Sequence, residues 1–343
     1  MKRKIILGIS GIVIILFTAC IKRNDVNIIS DKEKDNDLVE QKIEFDPQTI
    51  ATWNNEADFT VTLTVNGKGV IIVKYIGHAT FVNIPGIIQD MPVREIGHRA
   101  FADSLYVTSV VIPEGITTLG DSAFNGCRSL TSITLPNSLN SIGSFAFGGC
   151  TSLTSIILPE GITVIQRSTF GGCTSLTSII LPESLIRIGE RAFHGCSAMT
   201  FIEIPNSVIE IGNAAFQRSG IKSFNWPAKV TIIRGSVPAN GLVETYGMFN
   251  YCRNLESIII PEGVIEIGPH AFDGTALTNI TLPSTIRRIG SAAFNTSSLT
   301  TVNIPESVQR IEFTTGYYGY AFSRCDNLTL TSQAALRRVG YPR

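Results

Sequence analysis

Short alternations of apolar and polar residues, each closed by a proline, recur along most of the chain. In residues 130–135, which read Leu-Thr-Ser-Ile-Thr-Leu, Ser132 and Thr134 are expected to point outward and the apolar residues inward. Such a period of two is typical of a strand with one buried face. The next residue, Pro136, cannot donate a hydrogen bond to a neighbouring strand, so we predict that the strand ends there.

The same pattern returns at an almost constant interval. Prolines recur every 23 residues from Pro113 to Pro205, and then at intervals of 22, 34, 22 and 22 residues up to Pro305. A phenylalanine marks a second fixed position, at residues 101, 124, 147, 170, 193, 216, 249, 272, 294 and 322. One copy has too little core to fold alone, so the copies must stack. We predict a β-rich repeat solenoid with short helical or 3-10 turns.

The repeated string Leu-Thr-Ser-Ile-x-Leu-Pro-x-Ser-x-x-x-Ile-Gly-x-x-Ala-Phe-x-Gly-Cys resembles the BspA-like leucine-rich repeats of bacterial surface proteins. The resemblance covers about residues 75–330. It implies a right-handed leucine-rich-repeat solenoid of about ten coils of 22–23 residues, with a parallel β-sheet on one face. It also implies an extracellular role in binding a host or partner protein.

The first twenty residues have the features of a secretory signal. A positive segment, Lys2–Lys4, precedes an apolar run from Ile5 to Phe17 and then Thr18-Ala19-Cys20. The run is shorter than the ~20 apolar residues of a spanning helix. Its end resembles a bacterial lipobox, which implies lipidation of Cys20, although Phe17 stands where that motif usually has Leu. We predict a lipoprotein signal peptide at 1–19, and a plain secretory signal is the alternative.

The remaining segments follow from composition and pattern. Residues 20–43 are rich in Lys, Asp, Glu and Asn and predict a disordered tether. Residues 44–84 predict a β-rich cap with a hairpin, because two alternating runs flank Asn66-Gly67. The solenoid is predicted at 85–330. A helical cap is predicted at 331–343, with Ser332 as N-cap and Gly340 as C-cap.

Composition narrows the function classes. The 28 basic and 28 acidic residues give a formal net charge of zero. Binding to nucleic acid is therefore not expected, since contacts to phosphate need a surplus of Lys and Arg. No catalytic or cofactor motif is present, and we expect neither an enzyme nor a bound cofactor.

The cysteines and histidines have ordinary structural explanations. Six cysteines occupy one repeat position, three residues after the phenylalanine, where other copies have Ser or Thr. Stacked copies lie ~4.8 Å apart, wider than the ~3.5–4.5 Å between the Cβ atoms of a disulfide. We therefore predict free, buried thiols and no metal site. The four histidines, at 78, 98, 194 and 270, are predicted to be solvated at the surface.

Two features of the surface are candidates for binding a partner. The first is an apolar patch on the strand face, formed by Ile157, Ile180 and Phe201. The second is a pair of insertions, after Ile233 and after Ile311, which emerge from the same edge of the solenoid. The insertion residues selected are Arg234, Tyr246, Phe313, Tyr317, Tyr318 and Tyr320. Ordinary strand propensity and a tolerated loop are the competing explanations.

These features lead to one main hypothesis and two alternatives. The main hypothesis is an exported, lipid-anchored protein at the outer membrane or cell surface, which is monomeric. Its solenoid would bind host extracellular-matrix or partner-cell proteins. The alternatives are a glycan-binding module that uses the aromatic insertion, and an architectural spacer of the envelope without a ligand.

Overall fold

Contacts along the chain divide the protein into two units, Met1–Trp53 and Asn54–Arg343. The computed structural model describes residues 53–236, 246–295, 298–312, 320–323, 325–339 and 341, almost all of them in the second unit. The predicted signal peptide, Cys20 and the tether lie outside the described residues. Within the second unit the repeats form a β-solenoid of about ten turns, as the sequence pattern predicts.

The chain enters the solenoid through a hairpin. After a short 3-10 helix, Glu56–Asp58, strands β1 (Phe59–Leu63) and β2 (Val70–Tyr75) pair in antiparallel fashion. Strand β2 then pairs in parallel with β5 (Met91–Ile96), which also pairs with the two-residue β4 (Ile87–Ile88). The hairpin thus continues the solenoid sheet, and its two strands occur where the alternation predicts them.

In seven copies the first strand belongs to a row of parallel strands. Where two successive strands pair, each residue is aligned with the equivalent residue of the next copy. This first row comprises β3 (Phe81–Asn83), β6 (Ser109–Val111), β8 (Ser132–Thr134), β10 (Ser155–Ile157), β12 (Ser178–Ile180), β17 (Asn279–Thr281) and β19 (Thr301–Asn303). Three copies between β12 and β17 have no strand at this position. There the Asn225 side chain bonds to both the N–H and the C=O of Ile204, at 3.1 and 3.3 Å.

A second row of short parallel strands follows in each copy. It comprises β5, β7 (Thr118–Leu119), β9 (Ser141–Ile142), β11 (Val164–Ile165), β13 (Arg187–Ile188), β14 (Glu210–Ile211), β15 (Ile232–Ile233), β16 (Glu266–Ile267), β18 (Arg288–Ile289) and β20 (Arg310–Ile311). Each strand ends in a buried or half-buried apolar residue, and most are followed by glycine. An ideal Cβ at Gly143 would lie 2.5 Å from the backbone nitrogen of Asp121, so the close stacking of the turns excludes a side chain there.

The centre of the solenoid is a column of phenylalanine rings. The ten repeat phenylalanines are all less than 2 % exposed, and successive rings stack with centroids 4.8–5.7 Å apart. Tyr75 extends the column at the N-terminal end, 4.9 Å from Phe101. Each phenylalanine lies in a 3-10-type turn, for example through the Cys127 N–H bond to the Phe124 carbonyl.

Helix α1 (Leu330–Arg338) closes the C-terminal end, and its N-cap differs from the prediction. The N-cap is Thr329, whose hydroxyl accepts a hydrogen bond from the Ser332 backbone N–H at 3.3 Å. Ser332 lies inside the helix, and its hydroxyl accepts from the Val302 N–H at 3.0 Å. The prediction of Ser332 as N-cap is therefore wrong, because that side chain bonds to the last strand instead. The C-cap is Val339, and Gly340 lies outside the described residues.

Candidate partner-binding surface

Three large apolar side chains are exposed in consecutive copies, two on strands β10 and β12 and one in the next copy, which has no strand at this position. Ile157 and Ile180 are aligned partners in the parallel pair of β10 and β12, and they are 59 % and 54 % exposed. Phe201, in the next copy, is 48 % exposed. The strand alternation determines this exposure, because Ile156 and Ile202 take the inward positions and are buried.

Several neighbouring outward side chains are short, whereas Glu203, which follows Ile180 on the same ladder, is an exposed charged neighbour of the three. Thr134 precedes Ile157 on the same ladder, and Ser178 precedes Phe201 on the other. Parallel strands are ~4.8 Å apart, which brings large side chains of adjacent copies into contact. Together Ile157, Ile180 and Phe201 form one exposed surface, called the strand-face patch below.

The two residues that flank the first insertion are engaged with earlier copies. Arg234 Nη2 lies 3.2 Å from the Glu210 carboxylate, and the Arg191 guanidinium lies 4.4 Å from the centre of the Tyr246 ring. The Arg234–Glu210 pair is exposed, and pairs of that kind contribute only ~0–1 kcal/mol. A role of Arg234 and Tyr246 in binding a partner remains a prediction.

Of the second insertion, the structure describes Tyr320, whereas Phe313, Tyr317 and Tyr318 lie outside the described residues. Tyr320 is 41 % exposed, and its ring packs edge-on against Tyr341 with centroids 5.6 Å apart. Its backbone N–H donates to the Ser323 hydroxyl at 2.8 Å. The Tyr320 ring is therefore supported by the C-terminal end of the solenoid.

The six repeat cysteines are free and buried, which confirms the prediction. Each thiol donates to the carbonyl of the phenylalanine in the preceding copy, for example Cys173 to Phe147 at 3.1 Å. Burial raises the pKa of the Cys127, Cys196 and Cys252 thiols to about 12. These thiols are structural, since a reactive cysteine needs an exposed thiolate.

The sequence analysis missed a buried polar network beside the phenylalanine column. Gln217 donates to Asn250 at 2.6 Å, and Asn250 donates to Asp273 at 3.3 Å. Asp273 also accepts from Asn295 at 3.0 Å and pairs with His270 Nδ1 at 2.8 Å. Only 2 % of His270 is exposed, so the prediction that it is solvated at the surface is wrong.

A signal for this network was present in the sequence. Its members Gln217, Asn250, Asp273 and Asn295 directly follow the phenylalanine in successive copies, where regular copies have Gly148 or Gly171. A polar row one copy apart can bond along the stack. His270 was not identifiable in this way, because it lies at another position of its copy and reaches Asp273 through the turn.

The described part of the chain contains neither a candidate metal site nor a helix that could cross a membrane. No three His, Cys, Asp or Glu side chains there lie close enough to hold a metal ion. Nor does that part contain a helix long and apolar enough to cross a membrane. The absence of enzyme activity stays a prediction.

Stacked copies with parallel strands and a buried aromatic column define a β-solenoid repeat protein. A family model described as the BspA-type leucine-rich repeat region matches the chain in six copies, over residues 94–222, 163–240 and 245–337. These matches span more than half of the chain. The protein therefore belongs to the BspA-type leucine-rich repeat family, which confirms the resemblance seen in the sequence.

Solved structures of bacterial leucine-rich repeat proteins are similar to this one. A leucine-rich cell surface protein of Faecalibacterium prausnitzii is 28 % identical, with a TM-score of 0.52 over 81 % of this chain and 87 % of that one. The pneumococcal vaccine antigen PcpA shares the fold, at 19 % identity and a TM-score of 0.51 over 79 % of this chain and 72 % of that one. No curated protein matches the chain in sequence.

Proposed function

We propose that this protein is an exported, lipid-anchored surface protein whose solenoid binds a partner protein through the strand-face patch. The observation that supports the proposal is the exposure of Ile157, Ile180 and Phe201 on three consecutive copies. Extended faces of repeat proteins are commonly used for protein recognition. The partner class is extracellular-matrix or partner-cell protein, and the role is adhesion.

The size of the patch sets the expected contribution to affinity. Complete burial of an Ile or Phe side chain is worth roughly 1.5–3 kcal/mol. Covering three side chains that are about half exposed contributes roughly 3 kcal/mol by this estimate. A free energy of that size changes a dissociation constant by roughly a hundredfold. The patch therefore supplies roughly a third of the ~8 kcal/mol of a micromolar interaction.

The proposal is tested with a triple variant whose new residues occur naturally at the equivalent positions of other copies. Ile157→Thr and Ile180→Thr introduce the residue of Thr134, and Phe201→Ser introduces the residue of Ser178. The full chain is passed over immobilised laminin, collagen and fibronectin in a surface plasmon resonance experiment. Wild-type protein is expected to bind at least one of them, and the triple variant roughly a hundredfold more weakly.

A matched control comes from the same ladder. Ile259 is 86 % exposed but lies two copies after Phe201, away from the strand-face patch, so Ile259→Thr should leave binding unchanged. Binding of the triple variant at wild-type strength would reject the patch as the site. Failure of the wild-type protein to bind any matrix protein would reject that partner class.

The lipid anchor is tested separately. Acylation of Cys20 would hold the protein on a membrane, and a stable anchor needs more than one acyl chain. A Cys20→Ala variant is expected to lose metabolic labelling by palmitate and to appear in the soluble fraction. Protease added to intact cells should degrade the wild-type solenoid if it faces outward. Complete protection in intact cells would contradict an adhesion role.

A further inference from the structure

The turn after the buried phenylalanine differs in length between copies. The next core residue lies six positions after the phenylalanine in regular copies, but it lies only five positions after it in the copies of Phe216, Phe272 and Phe294. The longer turn at 252–255 is therefore flanked on both sides by a shorter one. A shorter neighbour on each side leaves open space beside the longer turn.

A groove lies on each side of this turn. The larger has a volume of about 630 Å³ and adjoins Gly220, and the smaller has a volume of about 310 Å³ and adjoins Gly274. Tyr251 and Arg253 line both grooves, and Arg218 lines the larger one. The other lining residues are Ser, Thr, Asn, Gly and Ala, without a carboxylate. The grooves therefore combine two guanidinium groups with an aromatic ring and several hydrogen-bonding groups.

Arg218 and Tyr251 lie two residues after the phenylalanine, at a position where five of the ten copies have glycine. Their φ angles are +57° and +58°. The equivalent residues in five other copies are Gly126, Gly149, Gly172, Gly195 and Gly274, with φ between +71° and +77°. An ordinary residue in this left-handed conformation costs roughly 1–2 kcal/mol. This conformation alone does not mark a site, because Asp103 has the same position with a φ angle of +60° and the regular copy of Phe147 contains Phe145 with a φ angle of +57°. Arg218 and Tyr251 differ from the equivalent glycines because their long side chains line the larger groove.

The Tyr251 ring is held in place between two copies. An ideal Cβ at Gly274 would lie 2.6 Å from Tyr251 Cδ1, so the ring occupies the space that the glycine leaves open. The Arg218 guanidinium lies 5.7 Å from the ring centre, within the range of a cation–π contact. Tyr251 is 37 % exposed, so part of the ring remains accessible to a ligand.

We propose that the two grooves bind an acidic polysaccharide. Guanidinium groups bind carboxylate and sulfate oxygens with paired, charge-assisted hydrogen bonds, which assigns Arg218 and Arg253 to the acidic groups. The negative face of the tyrosine ring attracts the C–H edges of a sugar ring, and the Ser and Asn side chains bond its hydroxyl groups. An acidic peptide fits less well, because the shallow grooves offer no apolar pocket for an anchoring side chain. This site shares no residue with the strand-face patch.

The test uses four small probes on the full chain by isothermal titration calorimetry. They are a heparin tetrasaccharide, tetragalacturonate, neutral maltotetraose and tetraglutamate. We expect binding of one or both acidic sugars, and the pair distinguishes sulfate from carboxylate recognition. The variant Arg218→Gly/Tyr251→Gly should weaken this binding at least tenfold. Glycine is the residue of the equivalent copies, so the variant should unfold at the same or a higher temperature.

A control variant comes from a regular copy. Arg128 follows Cys127 as Arg253 follows Cys252, but it lies between turns of normal length, so Arg128→Ala should leave binding unchanged. Unchanged binding by the double glycine variant would overturn the site. Failure of both acidic sugars to bind, or equally tight binding of maltotetraose or tetraglutamate, would overturn the ligand class.

Discussion

The phenylalanine column makes a strong prediction about stability, best tested at its middle. Phe170 is fully buried and stacks between Phe147 and Phe193, with centroids 5.4 and 5.6 Å away and ring planes within 7° and 3° of parallel. Replacing it with alanine removes a ring that two neighbouring copies contact. Because both neighbours are fixed by their own strands and turns, they cannot collapse into the space.

The magnitude follows from these contacts. A buried Phe→Ala substitution costs roughly 3–5 kcal/mol through lost burial and the remaining cavity. Each stacked aromatic contact adds about 0.5–1.5 kcal/mol beyond burial, and Phe170 makes two of them. We therefore expect Phe170→Ala to lower the free energy of unfolding by about 5 kcal/mol, at the upper end of the range for a buried Phe→Ala substitution. Phe170→Leu retains most of the buried volume and should cost much less.

Two measurements check this prediction. Urea unfolding monitored by circular dichroism gives the loss in free energy of unfolding, and hydrogen exchange shows where it is localised. Contacts between copies are made with nearest neighbours, so the increase in exchange should centre on the copies of Phe147, Phe170 and Phe193. A loss below about 1 kcal/mol, or one equal to that of Phe170→Leu, would refute the idea that the column is a principal source of stability.

Two further predictions concern the titratable groups. The six repeat thiols are buried, so they should resist iodoacetamide at pH 8 in the native protein and react after denaturation. Burial also raises the pKa of five of them, those of Cys127, Cys150, Cys173, Cys196 and Cys252. Peptide mass spectrometry checks this, and rapid native labelling would contradict it. The backbone N–H groups of Asn137 and Ser284 lower the pKa values of Glu114 and Glu262 below the ordinary value of a glutamate. The resulting stabilisation is present above the unfolded-state pKa and is lost as pH falls through the lower folded-state pKa. Glu114→Gln/Glu262→Gln should therefore show a smaller fall in melting temperature between pH 6 and 3 than the wild type, and identical curves would exclude this contribution.

The repeat pattern was sufficient to predict the architecture because each position has the same environment in every copy. The alternation around Ile157 places its neighbours inside and its own side chain outside, and the structure has the same arrangement. The small residue required at the cysteine position likewise predicted a buried thiol. Such inferences depend only on local period and on stacking, both of which are encoded in the sequence.

The errors occurred where a side chain bonds to a residue distant in sequence. Ser332 and Thr329 are both good N-cap residues, and the local sequence does not distinguish them. The hydrogen bond from Val302 to Ser332 decides between them, across 30 residues. His270 differs in that its own partner, Asp273, is only three residues away, but Asp273 also bonds to Asn250 of the preceding copy, in a network that reaches back to Gln217. Pairings of this kind become visible only when the stacking of copies is known.

Departures from the repeat are concentrated in the copies between Met199 and Leu277. The first row of strands is interrupted there, and Phe224 and Trp226 replace smaller inward residues and pack edge-on with each other, 5.1 Å apart. The same copies contain most of the buried polar network and the groove residues Arg218 and Tyr251.

A regular solenoid needs neither a break in the first row nor a buried polar network. Left-handed backbone does not distinguish this region, because the regular copy 127–149 contains Phe145 with a φ angle of +57°. If architecture were the only requirement, copies like 127–149 could have been repeated through this region without the break and the network. The clustering of these departures in adjacent copies therefore favours a ligand site in this part of the solenoid over a role as a spacer. The strand-face patch, which ends at Phe201, lies at the border of the same region.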